Sequence, residues 1–160
     1  HGAKGQGMHQ DNFYLVAQPA TCLAAWTPID DATEENGCLY VVPGSHRHNI
    51  HCPKQGSTKT WRDYGDSHIH PFPRETEPVP LPVERGQTLF FGGNLIHGSG
   101  PNRTNERSRR TFIGHYVDEA TESLSRFYHP VLNRSGETVS RIAVDTSGGP
   151  CGDGFGGGLH

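Results

Sequence analysis

The chain has 160 residues, a formal net charge of −3 and a hydrophobic fraction of 32%. This length fits one domain, and we expect neither a membrane span nor a secretory leader, because no sufficiently long apolar run occurs. The acidic balance argues against a nucleic-acid-binding protein, since phosphate recognition requires a broad basic face. The 21 glycines and 12 prolines indicate many turns, and therefore short strands joined by loops.

The first half of the chain shows strand patterns and one long polar stretch. Alternating or clustered apolar side chains predict strands at residues 12–17, 21–30 and 38–42. The run from Glu34 to Gly37 predicts a tight turn, since Asn-Gly readily adopts positive φ. Residues 49–78 are polar and proline-rich, which predicts a long excursion from the framework.

The second half of the chain also shows mainly strand patterns. Further strands are predicted at residues 79–83, 88–91 and 110–117 and around His97, and a single helical turn at residues 118–124. Short antiparallel strands without helical crossovers predict an all-β fold, a double-stranded β-helix or jelly roll of the cupin-like kind. We expect this core to occupy residues 1–146. The glycine-rich tail at 147–160 is predicted to be mobile, because it cannot bury enough apolar surface.

Two histidines and an aspartate form a candidate metal-binding pattern. His9 and Asp11 are two residues apart, so on an extended chain both side chains point to the same face. A distant histidine, His97, supplies a third ligand. Two imidazoles and one carboxylate on one face of an octahedral ion leave the opposite positions open, an arrangement diagnostic of non-haem iron oxygenases.

Three blocks of sequence carry a resemblance to a known family. The first block is Met-His-Gln-Asp-Asn-Phe-Tyr at 8–14, and the second is the run from Trp26 to Arg47, which includes Pro-Gly-Ser-His-Arg. The third block is His-Gly-Ser-Gly-Pro-Asn-Arg-Thr at 97–104, and Ser-Arg-Phe-Tyr-His-Pro follows it at 125–130. In order and spacing the chain resembles the phytanoyl-CoA dioxygenase family of iron(II)- and 2-oxoglutarate-dependent oxygenases. Members of that family carry helices and opening strands before the first block, so we expect a fragment that lacks this N-terminal portion.

The resemblance implies roles for individual residues. His9, Asp11 and His97 would be the iron ligands, and Arg109 would bind the far carboxylate of 2-oxoglutarate, with Arg107 as the alternative. An arginine suits this task because its planar fork binds a carboxylate bidentately and stays charged. Strand alternation predicts that Arg109, Thr111 and Ile113 share one face and that Arg110 lies on the other.

Three further residues match positions of the co-substrate site in the resembled family. Ser99 matches a serine that helps to hold the same carboxylate, and Gln10 and Trp26 match positions that line the pocket. For Trp26, an ordinary role in the hydrophobic core is an equal alternative.

The implied activity is hydroxylation of a small organic substrate at a C–H bond, with O₂ as oxidant and succinate and CO₂ as products. Halogenating relatives replace the ligand carboxylate with a small residue, and because Asp11 is present, hydroxylation is favoured. The sequence leaves the substrate and the oligomeric state open. Two other classes stay open as well: a non-catalytic jelly-roll module that binds a metal or ligand, and a cupin-like enzyme that uses another divalent metal.

The other histidines and the cysteines suggest weaker hypotheses. His46, His48 and His51 with Cys52 are possible zinc ligands by type, but structural zinc sites usually show two well-spaced ligand pairs. His115 and His129 are interpreted as structural groups, and His68 and His70 as substrate-contacting or exposed. The four cysteines show no C-x-x-C spacing, so we expect reduced thiols and a cytoplasmic protein, with Cys22 and Cys38 filling the core.

Overall fold

The computed structural model describes residues 3–52, 69, 72–73, 76–146 and 149–151. Short strands dominate this part of the chain: β1 (Gln6–His9), β2 (Leu23–Pro28), β3 (Leu39–Val41), β4 (Val79–Leu81), β5 (Leu89–Gly92), β6 (His97–Ser99), β7 (Thr111–Tyr116), β8 (Ser123–Ser125) and β9 (Ala143–Asp145). One α-helix, α1 (Asp11–Leu15), and single 3₁₀ turns at Ser45–Arg47 and Arg126–Tyr128 complete the described elements. None of the described helices has the length and apolar character needed to cross a bilayer.

Two antiparallel sheets face each other. One has the strand order β1-β6-β3-β4 and the other the order β5-β2-β7. Strands that are distant in sequence are neighbours in both sheets, which is the connectivity of a jelly roll rather than of consecutive hairpins. The prediction of an all-β jelly roll is therefore confirmed. A small parallel pair, β8 and β9, lies outside the two main sheets.

Side-chain alternation along the central strand β2 explains how the sheets pack. Ala24 and Trp26 are buried and contact Leu39 of β3 and Phe91 of β5, which places a hydrophobic cluster between the two sheets. The intervening residues point to the opposite face. On β5 the same alternation buries Phe91 but leaves the Phe90 residue 63% exposed, so the outer face of the β5-β2-β7 sheet carries exposed aromatic surface.

Most strand predictions are confirmed, but two local predictions are wrong. Residues 12–17 were expected to form a strand, whereas the chain forms helix α1 there and ends it at Val16 with positive φ. Phe13 and Leu15 mimic a period of two, and a helix of five residues is too short to display the helical period. Residues 118–124 were expected to form a helical turn, but they form a turn that leads into β8.

The cysteine prediction holds for two residues and fails for two. Cys22 and Cys38 are free and buried, each within a hydrophobic cluster, as expected of core fillers. Cys52 and Cys151, in contrast, form a disulfide, so the expectation of reduced thiols is wrong for this pair. Most of the predicted excursion, including His68 and His70, lies outside the described residues, as does most of the predicted tail.

Candidate active site

The two histidines of the candidate metal site are brought together by strand pairing. His9 is the last residue of β1 and His97 the first residue of β6, and the two are direct partners in the antiparallel ladder. The register shifts by one residue between this pair and the next one, Gln6 with Ser99. Such a bulge changes the direction of the side chains next to it. Both imidazoles are buried, and their ring centroids are 4.3 Å apart.

Asp11 reaches the same point although it lies beyond the end of β1. Gln10 keeps an extended backbone, with φ −124° and ψ 131°, so Asp11 still emerges on the side of His9. The Oδ1 atom of Asp11 lies 3.6 Å from Nε2 of His9 and 3.5 Å from Nε2 of His97. Potential ligand atoms of these three residues all lie within 4.8 Å of one another, which is close enough to hold one metal ion.

Backbone carbonyls orient both imidazoles. Nδ1 of His9 donates to the carbonyl of Gly7 at 2.8 Å, and Nδ1 of His97 donates to the carbonyl of Leu95 at 3.0 Å. Because a carbonyl oxygen can only accept, these bonds place a proton on Nδ1, so Nε2 is the nitrogen through which each ring could bind a metal ion. Hydrogen bonding of the outer nitrogen in this way is the usual support for a metal-binding histidine.

The protonation states suit metal binding. Burial and, to a smaller extent, the neighbouring His9 lower the pKa of His97 to about 4, so this imidazole is neutral at pH 7. Burial alone raises the pKa of Asp11, but the adjacent imidazoles of His115, His9 and His97 outweigh this and hold it below its ordinary value. A neutral imidazole at His97 beside an ionised carboxylate at Asp11 is the state that binds a divalent cation.

A cavity of about 270 Å³ extends from the three ligands into the space between the sheets. Its walls come from both sheets and from the segment before β1. They comprise Lys4, Gln6, His9, Asp11, Trp26, Leu39, Phe91, His97, Ser99, Arg109, Thr111, Ile113 and His115. The same cavity is therefore lined by the three potential metal ligands and by cationic side chains.

Lys4 and Arg109 both line the cavity, and among the described residues Lys4 is exposed whereas Arg109 is half-buried. The Nε atom of Arg109 is buried and makes no hydrogen bond with a described residue, while burial lowers the pKa of the guanidinium. The neighbouring arginines are engaged elsewhere: Arg107 pairs with Glu35 and Arg110 pairs with Asp30. Arg109 is thus a half-buried cation whose buried Nε is available to an anion in the cavity, whereas the alternative residue, Arg107, does not line this cavity.

The three other predicted co-substrate residues occupy different positions. Ser99 is buried on β6, lines the cavity, and accepts a hydrogen bond from the backbone N–H of Gln6. Trp26 combines both predicted roles, because it belongs to the core cluster and also lines the cavity. Gln10 lies outside the cavity lining. Its amide donates to the carbonyl of Asn94 and accepts from the N–H of His51, so it ties the chain segments behind the site together.

Several cavity residues were not singled out from the sequence. His115, which was interpreted as a structural group, lines the cavity, and its Nε2 lies 3.3 Å from Oδ2 of Asp11. The strand alternation that placed Arg109, Thr111 and Ile113 on one face continues to residue 115, so this signal was present in the sequence. Lys4 and Gln6 precede the first motif and carry no comparable signal.

The zinc hypothesis for His46, His48, His51 and Cys52 receives no support. The sulfur of Cys52 is bonded to Cys151 and is not a thiolate ligand. Among the residues that the structure describes, the group of metal-ligand type is His9, Asp11 and His97.

Comparison with known proteins agrees with this geometry. The family model of phytanoyl-CoA dioxygenase (PhyH) matches residues 1–111, which include all three potential metal ligands and Arg109. The chain belongs to the phytanoyl-CoA dioxygenase family. Members of the family can therefore be compared with this chain position by position over the jelly-roll core.

Two curated relatives illustrate the range of the phytanoyl-CoA dioxygenase family. "Phytanoyl-CoA dioxygenase 1" of Oryza sativa subsp. japonica is 37% identical over 113 residues, which cover 69% of this chain and 38% of the relative. "Methylphosphonate hydroxylase" of Gimesia maris is 34% identical over 151 residues, covering 92% of this chain and 51% of the relative. The chain thus spans about two-fifths to one-half of the length of these proteins.

A solved structure supports the fold. The non-haem α-ketoglutarate-dependent epimerase SnoN from nogalamycin biosynthesis superposes with a TM-score of 0.54 at 26% identity, covering 73% of this chain and 41% of SnoN. A second SnoN structure, in complex with Fe³⁺, α-ketoglutarate and nogalamycin RO, has a TM-score of 0.58 at 22% identity and covers 91% of this chain and 56% of SnoN. The second similarity extends the shared fold over nearly the whole chain.

Proposed function

We propose that this chain carries the iron(II) and 2-oxoglutarate site of a dioxygenase that hydroxylates a small organic substrate at a C–H bond, releasing succinate and CO₂. One observation supports the proposal above all. Nε2 of His9, Oδ1 of Asp11 and Nε2 of His97 converge beside a cavity whose wall contains Arg109, and the buried Nε of Arg109 makes no hydrogen bond with a described residue.

The donor set fits iron(II). Two imidazoles and one carboxylate, all buried, are the ligands typical of a mononuclear iron site with open coordination positions. The cavity adjoins these three residues, so a co-substrate and oxygen would have space to bind beside an ion held by them. When bound, iron(II) and 2-oxoglutarate supply the oxidising chemistry, while the protein supplies positioning and the exclusion of water.

The cavity wall fits a small dianion. Arg109 presents a charged fork whose Nε has no partner in the described part of the chain, and burial of an unpaired cation is costly unless an anion neutralises it. Ser99 adds a hydroxyl on the same wall. One carboxylate of 2-oxoglutarate bound here would leave the other carboxylate and the keto oxygen to reach the metal.

Two further features narrow the chemistry that we propose. Asp11 is buried at the metal cluster, so the position that a halide would need is occupied by a carboxylate. Phe91 and Trp26 close one side of the cavity with apolar surface, which limits the access of water. We therefore favour hydroxylation over halogenation.

Anaerobic titration with Fe²⁺ and 2-oxoglutarate tests the proposal. The wild-type chain is expected to develop a metal-to-ligand charge-transfer band when both are present, and Asp11→Ala is expected to abolish it because a ligand is lost. His46→Ala, which removes an exposed histidine outside the cavity, is the matched control and should retain the band. A band of wild-type size in Asp11→Ala would contradict the assignment.

Turnover separates the remaining alternatives. A dioxygenase releases succinate from 2-oxoglutarate in the presence of O₂ and a suitable small molecule, whereas a non-catalytic binding module releases none. A cupin-like enzyme that uses another metal would gain activity from Mn²⁺ or Zn²⁺ without a requirement for 2-oxoglutarate. Succinate formation that depends on Fe²⁺ is the result that we expect.

A further inference from the structure

The two oxygens of the Asp11 carboxylate face different partners. Oδ1 lies 3.6 Å and 3.5 Å from the Nε2 atoms of His9 and His97, on the side where the ligand atoms converge. Oδ2 lies 3.3 Å from Nε2 of His115. The carboxylate is therefore oriented with one oxygen toward the candidate metal position and the other toward an imidazole of the opposite sheet.

His115 is placed to hold this orientation. It lies on the inner face of β7, where its backbone pairs with Ala24 of the central strand β2. His115 does not belong to the group of potential ligands whose atoms lie within 4.8 Å of one another, which is His9, Asp11 and His97. It therefore contacts Asp11 but is not itself a candidate ligand. The imidazole reaches Asp11 from β7, whereas His9 and His97 reach it from β1 and β6.

We propose that His115 is a positioning residue: when the metal is bound, its Nε2, which lies 3.3 Å from Oδ2 of Asp11, would donate a hydrogen bond to that oxygen and so direct the carboxylate to bind the metal through Oδ1 alone. This inference rests on the proposed function. A carboxylate that binds through both oxygens occupies one more coordination position, and that position is needed by the co-substrate or by oxygen. His115 thereby keeps a position open, in addition to fixing the direction of the ligand.

A pair of matched substitutions isolates the hydrogen bond. His115→Met removes the N–H donor, while His115→Gln keeps an N–H donor on a side chain of nearly the same length. Only about a quarter of the His115 side chain is exposed, so it is largely buried, and both replacements are side chains of similar length that limit the loss of packing. Thermal unfolding of the metal-free variants is expected to match that of the wild type, and His46→Met, at an exposed position outside the cavity, controls for the change of residue type.

Two binding measurements then test the role. We expect His115→Met to weaken Co²⁺ binding, followed by visible absorption, by about 10-fold, as is typical when a partner of a metal ligand is removed. We also expect it to raise the Kd of 2-oxoglutarate on the Fe²⁺-loaded chain under anaerobic conditions. His115→Gln should recover most of both losses.

The outcomes distinguish this inference from the proposed function. If His115→Met retains wild-type affinity for both Co²⁺ and 2-oxoglutarate, the positioning role is overturned while the metal site stands. An equal loss in the Met and Gln variants also overturns it, because the donor would then be irrelevant. Failure of the wild-type chain to bind Co²⁺ at all overturns both the proposed function and this inference.

Discussion

Arg109 and Arg110 are adjacent in sequence, but their side chains lie on opposite sides of the β5-β2-β7 sheet. Arg109 faces the cavity, where its buried Nε has no partner among the described residues. The Arg110 guanidinium is bonded outside the cavity by Asp30, through Nε at 2.9 Å and a terminal nitrogen at 2.7 Å. One arginine therefore faces the cavity while the other forms an ion pair outside it, because successive residues of an extended chain point to opposite faces.

Arg109→Gln is expected to weaken 2-oxoglutarate binding by about 10- to 100-fold, since hydrogen bonds to a charged group contribute roughly 1.5–3 kcal/mol. The Fe²⁺-dependent charge-transfer band, titrated anaerobically with 2-oxoglutarate, measures this loss. Arg110→Gln is the control and should leave the affinity unchanged, because Arg110 does not line the cavity. Equal losses in both variants would contradict the assignment of Arg109.

The Asp30–Arg110 pair predicts a pH-dependent contribution to stability. Hydrogen bonds from the side chain and backbone of Arg110 lower the pKa of Asp30 to about 2. Because the folded-state pKa is depressed, the stabilisation is complete above the ordinary pKa near 4 and is lost as the pH falls toward 2. Asp30→Asn should therefore unfold at a lower urea concentration than wild type at pH 7. The gap between the two midpoints should narrow below pH 4, and a gap independent of pH would refute this linkage.

The disulfide predicts a specific thiol count. Denatured but unreduced protein should show two reactive thiols, Cys22 and Cys38, and reduction should expose Cys52 and Cys151 as well. The bond joins residues 99 positions apart, and on a chain-entropy argument its removal costs about 4–5 kcal/mol. Cys52→Ser combined with Cys151→Ser should lower the melting temperature accordingly. Four reactive thiols in the unreduced protein would show that the bond does not form.

Phe90 and Phe91 provide a matched test of the sheet faces. Phe91 is buried in the cluster between the sheets, so Phe91→Ala is expected to lower the free energy of unfolding by about 3 kcal/mol. The exposed neighbour should tolerate the same change, with Phe90→Ala costing about 0.5 kcal/mol or less. Urea denaturation of the two variants measures the difference. Similar losses would mean that the outer face of the sheet is also packed.

The sequence was most informative where a two-residue period persists through a whole strand. In β7 and the two residues before it, this period predicted that Arg109, Thr111 and Ile113 share a face, and all three line the cavity. It failed where an element is too short to display its own period, as in the five-residue helix α1. It also failed for the Cys52–Cys151 pair, since a contact across 99 positions leaves no local pattern.

The strand period accounts only in part for the position of the candidate metal ligands. β1 ends at His9 and Asp11 begins a helix, yet the extended backbone of Gln10 preserves the two-residue relationship. The contact between His115 and Asp11 was missed, although the period on β7 extends to residue 115. A two-residue period indicates on which face of a sheet a side chain lies, but it does not indicate which residues of two facing sheets come within hydrogen-bonding distance.

The direct pairing of His9 with His97 links ion binding to the folding equilibrium. Because the two imidazoles are brought together only when β1 and β6 form their ladder, an unfolded chain offers no comparable site. A divalent ion at 100 times its Kd would then stabilise the folded state by about 2.7 kcal/mol. Contacts between residues so far apart in sequence also form slowly, so assembly of this site would come late in folding. The measured affinity for the metal would therefore decrease with the fraction of the chain in which the jelly roll has not formed.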